Sequence, residues 1–147
     1  MKSTTYPSLQ NIVFWGVLVW AAGISVQLIA NEEVDSLKNA INITHNDTVK
    51  ANLLIHMWEA TAYSQPDSAR RYASRALVLS RKGNHRKGIA DALQRIGSGY
   101  SISGDNDSAL YYYDKSLALY SELNDVRMEG IIIGNIGGIY YNQGEYV

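Results

Sequence analysis

The stretch ADALQRIGSGYSISGDNDSALYYYDKSLALY, residues 90–120, predicts two amphipathic helices joined by a tight turn. Small and apolar residues of the first half are spaced as one face of a helix, and they are Ala90, Leu93, Ile96, Gly97 and Tyr100. The stripe of the second half is Ala109, Tyr112, Ser116, Leu117 and Tyr120. Residues 103–106, SGDN, separate the halves, because Gly tolerates a positive φ at a helix end and Asp or Asn can cap the next helix. Such a pair cannot cover its own apolar faces, so we expect copies on either side.

The copies recur with a period of 40 residues. The motif IGxxY at residues 96–100 returns at residues 136–140, and 136 − 96 = 40. The motif DSAxxY at residues 67–72 returns at residues 107–112, and 107 − 67 = 40. Every periodic stretch after Ala30 has helical spacing and none alternates like a strand, so the sequence predicts an all-α repeat fold.

These motifs resemble the tetratricopeptide repeat, whose helix A carries W-x2-L-G-x2-Y and whose helix B carries A-x3-F. Aligned without a gap, the second repeat places six residues on that pattern, which are Leu93, Ile96, Gly97, Tyr100, Ala109 and Tyr113. The resemblance implies a right-handed helix-turn-helix solenoid over residues 47–147, with repeats 47–86, 87–126 and an incomplete 127–147.

The chain departs from the family pattern in three ways. Met57 stands at the Gly position of the first repeat and Ala60 at its Tyr position. The Pro expected after helix B is absent. The repeat is 40 residues long rather than the usual 34, and longer helices or a longer loop between repeats are the two ways to absorb the difference.

The composition excludes several classes of protein. The 147 residues are 46% apolar and 18% charged, as in ordinary globular chains, and the net charge of −1 creates no field that would attract nucleic acid. Without any cysteine, disulfides, thiol catalysis and cysteine metal sites are impossible.

An apolar segment precedes the repeats. Residues 12–30 carry no charge, Lys2 precedes them, and the acidic stretch 32–35 follows. The asymmetry favours an amino end left inside and repeats exported from the cytoplasm. Residues 1–30 are interpreted as a cleaved signal peptide, as an uncleaved membrane anchor, or as a buried helix of a soluble fold. The first two interpretations both place the repeats in the periplasm or another extracytoplasmic space, secreted or anchored to the membrane.

Residues 31–46 predict a short capping or spacer helix. Its stripe is Val34, Leu37, Ala40 and Ile41. Residues 44–47 break it, and Asn46 or Asp47 can cap the next helix.

The last predicted helix is unusual because it is rich in glycine. Gly130, Gly134 and Gly138 lie four residues apart with Gly137 beside them, which favours close approach of a neighbouring helix or a ligand backbone. The chain stops where the third helix B should begin, so Ile132, Ile133 and Ile136 are expected to lack a full set of partners. We therefore interpret the chain as the front of a longer array or a shortened product of one, with possible self-association through this end.

No catalytic constellation can be assembled from the sequence. His56 and Glu59 have the i, i+3 spacing of two metal ligands but also of a solvated pair, and no second His lies one turn away. His45 and His85 fall in predicted turns and are expected to be exposed. No acid, base and nucleophile group together, so neither an enzyme nor a cofactor nor a metal is implied.

The family resemblance implies a protein or peptide partner in a concave groove lined by the A helices. Carried over residue by residue, the groove positions are Leu54, Ile55, Trp58, Thr61, Asp91, Gln94, Arg95, Ser98, Asn135, Gly138, Tyr141 and Asn142. Only Arg95 and Asn135 match the family's clamp for a carboxyl-terminal carboxylate, which disfavours that ligand. Trp58 with Arg95 suits an aromatic or acidic side chain, although Trp58 could equally cover the weak first repeat.

The export segment, the acidic helix and the motif DxxKANLL at residues 47–54 resemble the extracytoplasmic sensor region of bacterial membrane signalling proteins. The resemblance implies a non-enzymatic interaction module of a signal-transduction protein. The alternative is a free-standing secreted or anchored scaffold in envelope assembly.

Overall fold

The computed structural model describes residues 32–144. The chain divides into two units, Met1–Ser36 and Leu37–Val147. Within the first unit only residues 32–36 are described, and they are helical. The signal-peptide or anchor interpretation of residues 1–30 lies outside the described residues and stays a prediction.

All regular structure between residues 32 and 144 is helical, which confirms the all-α prediction. A first helix, α1, covers residues 32–43. The others are α2 (Asp47–Thr61), α3 (Pro66–Lys82), α4 (Arg86–Ile102), α5 (Asn106–Glu122) and α6 (Val126–Gln143). No helix of this part of the chain is both long and apolar enough to cross a membrane.

Three helices begin with polar caps, and the sequence predicts the caps of α2 and α5. In each, the side-chain oxygen of the cap accepts a hydrogen bond from the backbone N–H three residues on, which satisfies one of the orphan donors of the first turn. The pairs are Asn46 with Val49 at 3.0 Å, Asp105 with Ser108 at 3.1 Å, and Asp125 with Met128 at 3.2 Å. Pro66 occupies the first position of α3, where its missing N–H costs nothing.

From α3 onward, each helix is followed by one residue with a positive φ, which is alternately Asn and Gly. Gly104 and Gly144 have φ of 80° and 76° after α4 and α6, and Asn84 and Asn124 have φ of 49° and 55° after α3 and α5. Both residue types tolerate this region better than others. Each pair is 40 residues apart, so the turn chemistry repeats with the sequence.

The extra length of each repeat is in the helices. α3, α4 and α5 each have 17 residues, and residues 83–85, 103–105 and 123–125 form short connections. From α2 to α6, successive helices pack against each other, and α2 also contacts α4.

Helix α4 forms the centre of the described fold. Its predicted stripe is buried, except that Tyr100 is half-buried. A second face, with Gly88, Ala92 and Gly99, is buried as well, and Gln94 is buried beside the stripe. The amphipathic pattern does not reveal these positions, because Gln94 is polar and small residues carry little hydrophobic signal.

Gly97 of α4 lies against α5. A Cβ added there would come within 2.9 Å of the Tyr113 ring and 3.2 Å of the Ala109 carbonyl oxygen. Tyr113 is buried, whereas Tyr112 of the predicted stripe is only half-buried. The family alignment therefore chose the core tyrosine and the simple periodicity did not.

Helix α6 differs from the sequence prediction in two respects. Ile132 is fully buried against the α4–α5 core, so it does not lack partners, whereas Ile133 is 57% exposed and Ile136 half-buried. A Cβ added at any of the four glycines 130, 134, 137 and 138 would meet nothing within 4 Å. No helix within residues 32–144 therefore approaches these four glycines closely.

His85 is half-buried rather than exposed, and its ring packs over Gly88 of α4, where an added Cβ would overlap it. The prediction of an exposed turn histidine was wrong there, because the side chain folds back onto the first turn of the following helix. His45 is exposed as expected.

Candidate binding surface

Trp58 of α2 and Arg95 of α4 meet where these two helices contact each other. The Arg95 guanidinium carbon lies 5.0 Å from the centroid of the Trp58 ring. Trp58 is 6% exposed and Arg95 is half-buried. A cation over an indole face is worth about 0.5–1 kcal/mol when exposed and about 2 kcal/mol when desolvated, so the contact holds Arg95 in place.

Glu59, the residue after Trp58 in α2, forms a cluster with Trp58 and Arg95. One of its carboxylate oxygens accepts a hydrogen bond from Arg95 Nη2, and the other lies 3.1 Å from His56 Nδ1. The carboxylate therefore balances the Arg95 charge. The His56–Glu59 spacing serves this polar network in the structure, and no group of three potential metal ligands occurs in the described part of the chain.

Two donors of the cluster have no acceptor among the described residues. They are Trp58 Nε1 and Arg95 Nε, and both atoms are buried. Each buried donor without a partner costs about 1–3 kcal/mol. The cluster therefore retains unsatisfied capacity to donate hydrogen bonds.

Two tyrosines of α5 fix other predicted groove positions on α4. Tyr113 donates to Ser98 Oγ at 3.1 Å, and Tyr120 donates to the Asp91 carboxylate. Burial raises the pKa of the Tyr120 hydroxyl well above its ordinary value, and the hydrogen bond to Asp91 raises it further. Burial also raises the pKa of Tyr113, against the opposing effect of Ser98. Both hydroxyls thus stay protonated and position the α4 side chains.

The remaining predicted positions do not join this cluster equally. Leu54 is 0% exposed and Gln94 is buried, so neither side chain offers a surface to a ligand in this conformation. Thr61 is also buried and donates to the Met57 carbonyl at 2.6 Å. The positions of the third repeat lie on α6, which packs against α5, and they are Asn135, Gly138, Tyr141 and Asn142.

A comparison with known proteins found no matching family model, no matching curated sequence and no matching solved structure. The description of this surface therefore rests on the residues and their contacts.

Sequence reasoning missed a polar cavity of about 380 Å³ lined by α3, α4 and α5. Its wall contains Arg70, with its guanidinium carbon 4.9 Å from the Tyr100 ring centroid, and Tyr112, stacked on Tyr100 at 5.5 Å with an interplanar angle of 8°. The Arg70-Arg71 pair was the available signal. It stands where the next repeat has Leu110-Tyr111, so the 40-residue comparison already marked it as an exception.

Proposed function

We propose that residues 47–147 form a non-enzymatic module that binds a protein or peptide segment at the Trp58–Arg95–Glu59 cluster. We further propose that this module is a tetratricopeptide-like array and the extracytoplasmic sensory part of a bacterial signal-transduction protein. The observation that carries the binding proposal is the guanidinium held on an indole face, with two buried donors lacking acceptors.

The chemistry of the cluster favours an acidic or aromatic side chain as the ligand. An incoming carboxylate can replace Glu59 on Arg95, because the exchange keeps the charge of the guanidinium balanced. Trp58 is only 6% exposed, so it acts by holding the Arg95 guanidinium in place, and the planar guanidinium can itself stack on an aromatic side chain. A ligand gains affinity over Glu59 by also accepting hydrogen bonds from the unpaired Trp58 Nε1 and Arg95 Nε. This requirement makes the site specific for a carboxylate or amide group.

A display selection of random peptides against the full chain tests this proposal. Selected peptides should be enriched in Asp, Glu and aromatic residues. Arg95→Gln should weaken their binding at least tenfold in fluorescence anisotropy, and Trp58→Phe should weaken it several-fold. Arg81→Gln, at the exposed end of α3, is the matched control and should leave binding within twofold. Equal behaviour of Arg95→Gln and Arg81→Gln would contradict a ligand at this cluster.

The alternative function is a free-standing secreted or membrane-anchored scaffold in envelope assembly. The charges that flank residues 12–30 favour export, and export suits a scaffold as well as a sensor. A reporter fused after Val147 should be active only outside the cytoplasm under both functions. A reading frame that continues downstream of Val147 into a kinase, cyclase or DNA-binding domain would favour the sensor, and a stop there would favour the scaffold.

A further inference from the structure

The cavity between α3 and α5 has the composition of an anion site, and it shares no residue with the groove implied by the family resemblance. Its polar wall comes from three helices and includes Asp67, Arg70, Arg71, Ser74, Tyr100 and Tyr112. A volume of about 380 Å³ lies at the small end of the range for ligand pockets, about 300–1,000 Å³. The space therefore suits one side chain or one small molecule.

Arg70 is a fixed part of this wall. Its stem crosses Gly99, where an added Cβ would lie 2.6 Å from Arg70 Cγ. Its guanidinium rests over Tyr100 and donates to Asp67 Oδ1 at 2.5 Å. An arginine side chain held at Gly99, Tyr100 and Asp67 loses little conformational entropy when a ligand binds. This wall of the cavity is therefore preorganised.

Arg71 is the cation that remains available to a ligand. It is exposed, and the hydrogen bond described for its guanidinium is to the neutral Ser68 hydroxyl at 3.0 Å. Of the lining groups, Arg70 and Arg71 are positive and Asp67 is negative, which leaves one net positive charge. The carboxylate of Asp105 caps α5. Hydrogen bonds from Ser108 are the main cause of the lowered pKa of Asp105, and the charge of Arg70 contributes less.

We propose that this cavity binds a single carboxylate, with Arg71 as its principal ligand and Arg70 with the Tyr100–Tyr112 stack as its fixed wall. A planar carboxylate matches the fork of a guanidinium in two parallel hydrogen bonds. The stacked rings offer apolar area to the carbon stem that carries the carboxylate. A phosphate dianion would exceed the single net positive charge of the lining.

The test uses the full chain and two probes of equal shape, acetyl-glutamate methylamide and its neutral glutamine analogue. Arginine Nε–Hε signals in NMR spectra report binding. The glutamate probe should shift the Arg71 signal saturably, at millimolar concentrations, and the glutamine analogue should not.

Two variants decide whether the shift comes from this cavity. Arg71→Gln should weaken binding at least tenfold, with an unchanged circular dichroism spectrum to show that the fold is kept. Arg75→Gln removes an exposed arginine one turn further along α3 and should leave affinity within twofold. The proposal fails if both probes bind alike, if Arg71→Gln binds as well as the parent chain, or if inorganic phosphate binds more tightly than the glutamate probe.

Free butyrate, which carries one carboxylate on a carbon stem, distinguishes the two sources of the carboxylate. If butyrate binds at least as tightly as the glutamate probe, the site serves a free carboxylic acid. If the glutamate probe binds more tightly, the site takes the acidic side chain of a peptide. Both results support a carboxylate site, whereas absence of binding by both overturns it.

Discussion

At the scale of single residues, equivalent glycines in two helices have opposite surroundings. Gly97 of α4 faces the Tyr113 ring and the Ala109 carbonyl within 3.2 Å of an added Cβ, whereas Gly137, 40 residues later in α6, faces open space. The same residue therefore permits close packing at one place and only weakens the helix at the other. The two positions make a matched pair.

Replacing these glycines by alanine should change stability in opposite directions. Gly97→Ala should lower the free energy of unfolding by up to about 2 kcal/mol, because overpacking costs about 1–3 kcal/mol and the better helix propensity returns about 1 kcal/mol. Gly137→Ala should raise it by up to about 1 kcal/mol through propensity alone. Urea denaturation measures both. Equal effects of the two substitutions would show that α5 does not approach Gly97 closely.

At the scale of elements, the beginning of α6 depends on one carboxylate. Asp125 caps the helix and accepts a hydrogen bond from Lys87 Nζ at 2.8 Å. The Lys87 hydrogen bond is the largest cause of a lowered Asp125 pKa, followed by the Met128 backbone N–H. The cap thus links the start of α6 to α4 through an ion pair.

The stability of α6 should fall on acidification. Because the folded pKa of Asp125 is depressed, its contribution is fully present above the unfolded value of 3.8 and is lost as pH falls through the lower folded value. Amide exchange of α6 should therefore accelerate, relative to α4, as the pH is lowered from 5 to 3. Asp125→Asn keeps an oxygen acceptor but cannot titrate, and it should remove most of this extra pH dependence. An unchanged pH profile in that variant would assign the effect to other carboxylates.

At the scale of the described fold, packing is uneven along the chain. Helix α4 contacts α2, α3 and α5, whereas α6 contacts α5. At equivalent positions 40 residues apart, Leu93 is 4% exposed and Ile133 is 57% exposed. Burial of apolar area supplies most of the free energy that holds helices in place, at about 25 cal/mol per Å².

Local opening should follow that gradient. Amides of residues 130–143 should exchange well before those of residues 90–102, since α6 combines four interior glycines with a half-covered apolar face. Native-state hydrogen exchange measures the difference. If α6 exchanges as slowly as α4, additional contacts must cover it.

The exposed apolar residues of α6 should also promote self-association. Val126, Ile131 and Ile133 are exposed on this helix, and exposed apolar side chains of this kind favour assembly. Sedimentation velocity should show a concentration-dependent increase in mass that Ile133→Glu abolishes. Val78→Glu, at an exposed position of α3, should not abolish it. A monomer at high concentration would argue against this role of α6.

The sequence by itself determined the helical class, the 40-residue spacing of the helices and the residues that begin and end them. These features are local, because periodic side chains, caps and left-handed turn residues act within a few positions of the chain. The aligned repeat pattern also marked Gly97 and Tyr113 as positions of the motif, whereas the close contact between them is seen only in the structure.

Only the tertiary structure decided which side chains meet across helices. Leu54 satisfied the groove pattern but is buried, Ile132 was expected to lack a full set of partners but is enclosed, and Arg70, which departs from the repeat, forms the wall of a cavity. Each outcome depends on which neighbouring helix covers a given face, and that choice is made by contacts between residues far apart in the chain. Trp58 and Arg95, 37 positions apart, come into contact for the same reason, because packing of α2 on α4 brings the indole face under the guanidinium.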